Sequence, residues 1–245
     1  MAVLNWREVT DEEYGVIGNP IAHSWSPRLF KAAFEAAGLP YRYIAIQCDH
    51  DEFEEAIAFL STRMRGLNVT APFKNRVAAA VGKTAPWPIN VIRFERLNRL
   101  MNCDVVGLLA AFQELSLSGN TLVLGSGGAA ESACIAIRLS TKQQVFNWNR
   151  RGIPVDDSFF AEPSAANFDI VINATGAAPT FDWSGNGTAY DLSYGESPTS
   201  FMQEAMSHGW RAFDGRLMLL HQAICSFGNW FDKPAPEKAM REALP

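Results

Sequence analysis

The segment Ser118–Ser140, SGNTLVLGSGGAAESACIAIRLS, decides how this chain is read. A Ser-Gly-Asn turn leads into an apolar run from Thr121 to Leu124. A glycine-rich loop follows, and then a helix predicted from about Gly128 to Leu139. The loop GSGGAA, Gly125–Ala130, fits the spacing G-x-G-x-x-G/A. In that spacing the first glycine makes a tight turn and the second lets a diphosphate approach the backbone. The small sixth residue lets the helix pack closely on the strand. The helix start then presents unpaired N–H groups and the positive end of its dipole to an anion. Glycine turns between strand and helix are common. Here the apolar strand before the loop, the helix after it and a second strand, QVFNW, about 20 residues further on supply the context that a dinucleotide site requires.

The end of that second strand selects between cofactors. A carboxylate there would bind a ribose 2′-hydroxyl and repel a 2′-phosphate. This chain has NWNRR instead, with Asn149, Arg150 and Arg151 and no acid. A guanidinium can clamp a phosphate through two parallel hydrogen bonds, so the expected cofactor is NADP, with NAD left open.

Further strands are expected at FDIVINA, TAYDL and WRAF, and the amphipathic stretch LMLLHQAICSFGNWF is expected to form a late helix. Upstream, YGVIG reads as a strand stopped by Gly18-Asn19-Pro20. A helix follows, with Ser26 as its N-cap, Pro27 at its first position and Gly38 at its end. Phe30, Ala33, Phe34 and Ala37 share one face of it. YRYIAIQ is a strand, DEFEEAIAFL a helix and LNV a third strand. Strands alternating with helices predict two α/β units: an N-terminal open, mostly parallel domain and a C-terminal dinucleotide-binding domain, with the last helix returning to the first. The expected bounds are 1–105 with 215–245, and 106–214. Between Asn75 and Asn102 the pattern is weak, and VVGLLAAFQEL resumes it as a helix.

The 245 residues are 48% apolar and 19% charged, a globular composition with room for a sizeable core. A formal net charge of −5 gives no electrostatic footprint for nucleic acid. No apolar run approaches a membrane span, and the acidic N-terminus has no secretory pattern. Cys48, Cys103, Cys134 and Cys225 form no CxxC pair, so reduced thiols in a cytoplasmic protein are expected, without a disulfide framework or a zinc site. The four histidines have no metal-binding spacing.

The remaining candidates are polar groups in the N-terminal half. Ser24 and Ser26 present hydroxyls two residues apart ahead of a helix. Thr70 and Lys74 follow a buried strand, the end of an open α/β sheet at which sites lie. Together GNPIAHSWSP, NVTAPFK, INV, NCDVVG, GSGGAA, NRR, INATG, YDLSY and MLLHQA, in this order, resemble the shikimate dehydrogenase family over nearly the whole chain. The resemblance implies a Rossmann domain and the NADP-linked reduction of 3-dehydroshikimate to shikimate, a step toward chorismate and the aromatic amino acids. It implies that Ser24 and Ser26 hold the substrate carboxylate, and that Thr70, Asn90, Tyr194 and Gln222 contact the ring. Lys74 and Asp104 become the catalytic pair. Gly125, Ser126, Gly127, Gly128, Ala129, Asn149, Arg150, Arg151, Thr175 and Met218 become the cofactor contacts. The partner is a small molecule, and the assembly a monomer or homodimer. Several positions depart from the family pattern: Val91 replaces a threonine, Val105 and Leu217 replace glycines, the stretch between Lys74 and Asn90 is short, Pro154 and its neighbours lack the usual basic residue, and His221 is unusual beside Gln222. These departures raise the alternatives of a quinate or shikimate-like dehydrogenase of altered specificity, or of a homologue that binds without turnover.

Overall fold

The computed structural model describes residues 3–10, 14–95, 98–141, 144–155, 157–162 and 164–245. Two compact units emerge, Met1–Cys103 with Gln222–Pro245, and Asp104–His221.

Unit 1 holds a six-stranded sheet: β1 (Val3–Asn5), β2 (Tyr14–Gly18), β3 (Tyr43–Gln47), β4 (Gly66–Val69), β5 (Val91–Arg93) and β6 (Arg99–Met101), in the order β1-β3-β2-β4-β5-β6. The first four strands are parallel, and β5 and β6 close the sheet antiparallel. Its helices are α1 (Ser26–Ala36), α2 (Phe53–Leu60) and the short α3 (Val77–Ala80). Strand periodicity splits the core into two layers. Ile17, Ile46, Leu67 and Val69 join Phe53, Ala56, Ile57 and Leu60 of α2 on one face. On the other, Tyr14 and Tyr43 meet Phe30 and Phe34 of α1, with Phe30 stacked on Tyr43 at 4.3 Å.

The second unit carries β7 (Thr121–Leu124), β8 (Val145–Trp148), β9 (Phe159–Phe160), β10 (Ile170–Asn173), β11 (Thr188–Asp191) and β12 (Arg211–Phe213). All are parallel, in the order β12-β11-β10-β7-β8-β9. Counted from β7, that is the doubly wound order in which the first strand lies at the switch point. Helices α4 (Cys103–Glu114) and α5 (Gly128–Thr141) cover one layer with Val123, Ile170 and Ile172. Helix α6 (Ser200–Ser207) covers the other with Leu122, Leu124 and Val171. Helix α7 (Arg216–Phe231) runs from unit 2 into unit 1, where α8 (Glu237–Glu242) packs on α1.

Several expectations change. Ser26 is not the N-cap: Trp25 already has helical backbone angles and occupies that position, and Ser26 N–H donates to Ser24 Oγ at 3.3 Å. The weak stretch after Asn75 contains α3, β5 and β6, strands too short to show a period. Helix α4 starts at Cys103 rather than after it, because Asn90 Oδ1 accepts the Cys103 N–H at 2.7 Å. The cysteines are not all reduced: Cys103 and Cys225, 122 residues apart, form a disulfide with Cα atoms at 5.8 Å. No spacing rule reaches that far, since the fold alone brings them within bonding range. Cys48 and Cys134 are free and buried.

Gly66 shows how tightly unit 1 is packed. A Cβ there would lie 2.5 Å from Trp230 Nε1, whose N–H donates to Ile92 O at 3.0 Å, and 2.7 Å from Tyr14 Cδ1. Gly66→Ala therefore overpacks the aromatic layer. Its expected cost is about 1–3 kcal/mol, read as a lower urea midpoint with an unchanged slope.

Candidate active site

In unit 1 the chain order turns at β2: β3 lies on one side of it and β4 on the other. Ligand crevices form beyond the carboxyl ends of strands at such a point. The loops leaving β2 and β4 are joined there, as Asn19 N–H donates to Ala71 O at 3.1 Å and Thr70 N–H to Ile17 O at 3.0 Å. Gln47 Nε2, at the end of β3, donates to Asn19 Oδ1 at 2.7 Å. This joint brings the Ser24 loop beside the turn of Thr70 and Lys74. Ser26 is buried, and Ser24, Thr70 and Lys74 are partly exposed.

The Lys74 turn is anchored by its neighbour. Phe73 is fully buried and stacks on Phe53 at 4.4 Å, and its N–H donates to Thr70 O at 3.0 Å. Lys74 O accepts the Ile89 N–H at 3.0 Å. The next residue, Asn90, accepts the Cys103 N–H through Oδ1, and its backbone O accepts from Val69 N–H at 2.9 Å. A single segment, Ile89–Asn90, thus joins the lysine turn to the helix start that carries Asp104. Asn90 Oδ1 thus serves as the acceptor that caps α4. Asp104 is buried in the first turn of α4.

Sequence reasoning missed Asn68, a polar residue inside a buried strand. It accepts from Tyr43 Oη at 2.8 Å and donates to Ser226 Oγ at 3.0 Å and Asn90 O at 3.3 Å. Ser226 in turn donates to Gln222 O at 2.8 Å, so this buried chain locates the α7 turn that bears Gln222. An asparagine at an inward strand position was its signal.

In unit 2 the switch strand β7 ends in the glycine loop. Gly125 has φ +130°, and a Cβ there would press Ala174 O at 3.0 Å. At Gly127 a Cβ would meet nothing within 4 Å, so the backbone faces open space of the kind a phosphate needs. Ser126, Gly128 and Ala129 are partly exposed around it, while Ala130 is fully buried against the sheet. The first amides of α5 have no partner within the helix. Asn147, also missed, shapes this loop: its Nδ2 donates to Val123 O and Gly125 O, each at 2.9 Å. Its Oδ1 accepts from Asn149 Nδ2 at 2.8 Å. Asn149 Oδ1 accepts the Arg151 N–H at 3.0 Å, and the Arg150 and Arg151 side chains are exposed just beyond the strand. The Thr175 hydroxyl is engaged locally with Asn173 Oδ1 at 2.7 Å and Ala177 O at 2.9 Å. Tyr194 is partly buried beyond β11, near Asp191. Burial raises the Asp191 carboxyl above its ordinary range, against hydrogen bonds from Thr199, Ser193 and Asn173 that lower it. Met218 is buried and Leu217 partly buried, both against the unit 2 core. Val105 packs in that same core and Val91 is buried in β5, so each of these apolar replacements contributes to packing. Among the described residues no helix is long and apolar enough to cross a membrane, and no group of His, Cys, Asp or Glu is placed to hold a metal.

Comparison with known proteins agrees with this layout. Residues 16–86 match the shikimate dehydrogenase substrate binding domain, and residues 215–244 match the shikimate 5′-dehydrogenase C-terminal domain. The chain is 33% identical to shikimate dehydrogenase (NADP(+)) of Natronomonas pharaonis, over 94% of this chain and 97% of that protein. It is 32% identical to the Chromohalobacter salexigens protein of the same name, over 96% and 98%. Shikimate 5-dehydrogenase of Thermus thermophilus in complex with shikimate superposes with a TM-score of 0.85 at 27% identity, covering 95% of this chain and 97% of that one. The structure of that enzyme with NADP(H) and shikimate gives 0.80 at 26%, covering 95% and 100%. With the same two sheets and relatives spanning almost its full length, the chain belongs to the shikimate dehydrogenase family.

Proposed function

We propose that this protein catalyses the reversible NADP-linked reduction of 3-dehydroshikimate to shikimate. Residues 1–105 and 215–245 would bind the substrate, and 106–214 the dinucleotide. The observation that carries the reading is the match, across both units, to an enzyme solved with shikimate and NADP(H).

The residues present fit a dinucleotide phosphate. Open space at Gly127, the positive φ at Gly125 and the first amides of α5, which helix geometry leaves unpaired within the helix, form a cradle for the diphosphate. Arg150 and Arg151 are exposed just after β8, where Asn149 of the Asn147–Asn149 pair accepts the Arg151 backbone N–H, and their guanidinium groups suit the 2′-phosphate. When bound, the nicotinamide supplies the hydride. The chain's own task is to bind the ring and to manage the oxygen. Ser24 and Ser26 hold the carboxylate, while Thr70, Tyr194 and Gln222 orient the hydroxyls. Lys74 stabilises the negative charge that builds on the ketone oxygen and donates its Nζ proton to it. In the reverse direction Lys74 takes up the hydroxyl proton. Asp104 orients the ammonium. The Ile89–Asn90 segment supports this pairing, because it is bonded to the lysine turn at one end and to the start of α4 at the other. Leu217 lies against the core, which favours turnover over a homologue that only binds.

The reading is tested by absorbance of the reduced nicotinamide with shikimate and quinate, each with NADP and NAD. Shikimate with NADP is expected to give the highest kcat/KM, and silence in all four combinations would refute it. Lys74→Ala should lower kcat roughly 10²–10⁴-fold with a smaller change in KM. Wild-type kcat in that variant would remove Lys74 from the mechanism. Arg150→Ala and Arg151→Ala together should reduce kcat/KM for NADP about 10- to 100-fold, the scale of a lost charge-assisted hydrogen bond. The value for NAD should remain nearly constant, so the ratio of the two is the measurement.

A further inference from the structure

We propose that Cys103 and Cys225 are positioning residues whose disulfide is reversible and sets the turnover of the substrate site by fastening the first residue of α4, next to Asp104, to the α7 turn that bears Gln222. The inference rests on the function proposed above.

Each half of the bond lies beside a proposed site residue. Cys103 is the first residue of α4, and Asp104 follows it directly. Cys225 lies three residues after Gln222 on α7, so the two share a helix face. The bond therefore covalently joins the segment that begins at the Asn90 cap to the helix turn that carries Gln222. A hydrogen-bonded bridge runs parallel to it. Asn68 donates to Asn90 O on one side and to Ser226 Oγ on the other, and Ser226 donates to Gln222 O. With that bridge intact, opening the disulfide would loosen the two site elements without unfolding the unit. In a reducing compartment, disulfides that do persist are mostly catalytic or redox-sensing rather than structural.

Access and reactivity point the same way. Cys103 is fully buried while Cys225 is partly exposed, so the Cys225 sulfur is the half assigned to attack by an incoming thiolate. The other two thiols are poor competitors for exchange. Burial, aided by Glu52, pushes Cys48 up to about 11, and burial pushes Cys134 up to about 12. In the reductive direction a low-molecular-weight thiolate attacks Cys225 Sγ, the Sγ–Sγ bond breaks, and Cys103 leaves as a thiolate that takes a proton. A second thiol resolves the mixed disulfide. Two reductant thiols become one disulfide, and the protein gains two S–H groups. Glutathione disulfide, a small disulfide oxidant, reverses both steps.

The test uses the full chain purified without reductant. Alkylation under denaturing conditions followed by mass measurement should label two cysteines before reduction and four after it. Reduction with dithiothreitol should lower kcat/KM for shikimate roughly 5- to 100-fold, the scale expected when positioned groups are loosened. KM for NADP should stay constant, and glutathione disulfide should restore activity. Cys103→Ser with Cys225→Ser should remain at the reduced level and ignore both reagents. If the pair of substitutions impairs folding, Cys225→Ser alone opens the same bond at its exposed half. A bond that served stability only would lower the melting temperature on reduction and leave kcat/KM unchanged. That result, or four labelled cysteines before reduction, would overturn the switch while leaving the proposed function standing. Absence of turnover in both redox states with every hydroxy acid would instead overturn the proposed function, and the switch with it.

Discussion

The cap that Asn90 places on α4 is the contact around which the substrate side is organised. Its Oδ1 takes the Cys103 N–H, and the preceding residue takes hold of the lysine turn through Lys74 O. An unpaired helix-start amide in a buried place is costly, so the cap is favoured wherever the chain can supply an acceptor. Here that general requirement has a specific outcome. The loop backbone at Lys74 and the helix start that precedes Asp104, thirty positions apart in sequence, are bonded to one short segment. The buried Asn68 bridge extends the same network to α7. Three polar side chains with few degrees of freedom thereby locate groups contributed by four separate stretches of chain.

The two sheets share a rule but use it differently. Both place their loops of interest at the carboxyl ends of parallel strands, beside a strand at which the winding reverses. In unit 2 the useful surface there is backbone: a positive-φ glycine, an open glycine and the first amides of a helix. In unit 1 the proposed surface is side chain, with hydroxyls, an ammonium and amides. That difference follows the chemistry. A diphosphate can be held by N–H groups that any sequence offers once the loop is shaped. A polyhydroxylated ring needs individual donors and acceptors at defined points.

What the sequence made legible follows the same division. The strand–glycine loop–helix unit is readable because its constraint is local: spacing, glycine freedom and hydrophobic period all lie within Ser118–Ser140. The turn at Lys74 is readable because a buried strand ends abruptly at proline. By contrast β5, β6 and β9 are two or three residues long and carry no period. The loop-shaping role of Asn147 and the bridging role of Asn68 depend on partners 22 to 158 positions away. The Cys103–Cys225 bond is of the same kind, because long-range pairing appears only once the fold exists. Ser26 has the residue type of a cap, but one residue of earlier helical geometry at Trp25 moves the boundary.

The discontinuity of unit 1 has a consequence for synthesis on the ribosome. Residues 1–103 emerge first, yet Tyr14, Phe30, Phe34 and Tyr43 are covered by Phe227, Trp230 and Phe231, which emerge after the whole intervening unit. At translation rates of about 5–20 residues per second, that aromatic sheet face waits roughly 10–40 seconds for its cover. Asp104–His221, contiguous in sequence, can consolidate during the wait. The nascent chain thus carries an uncovered aromatic surface through most of its elongation.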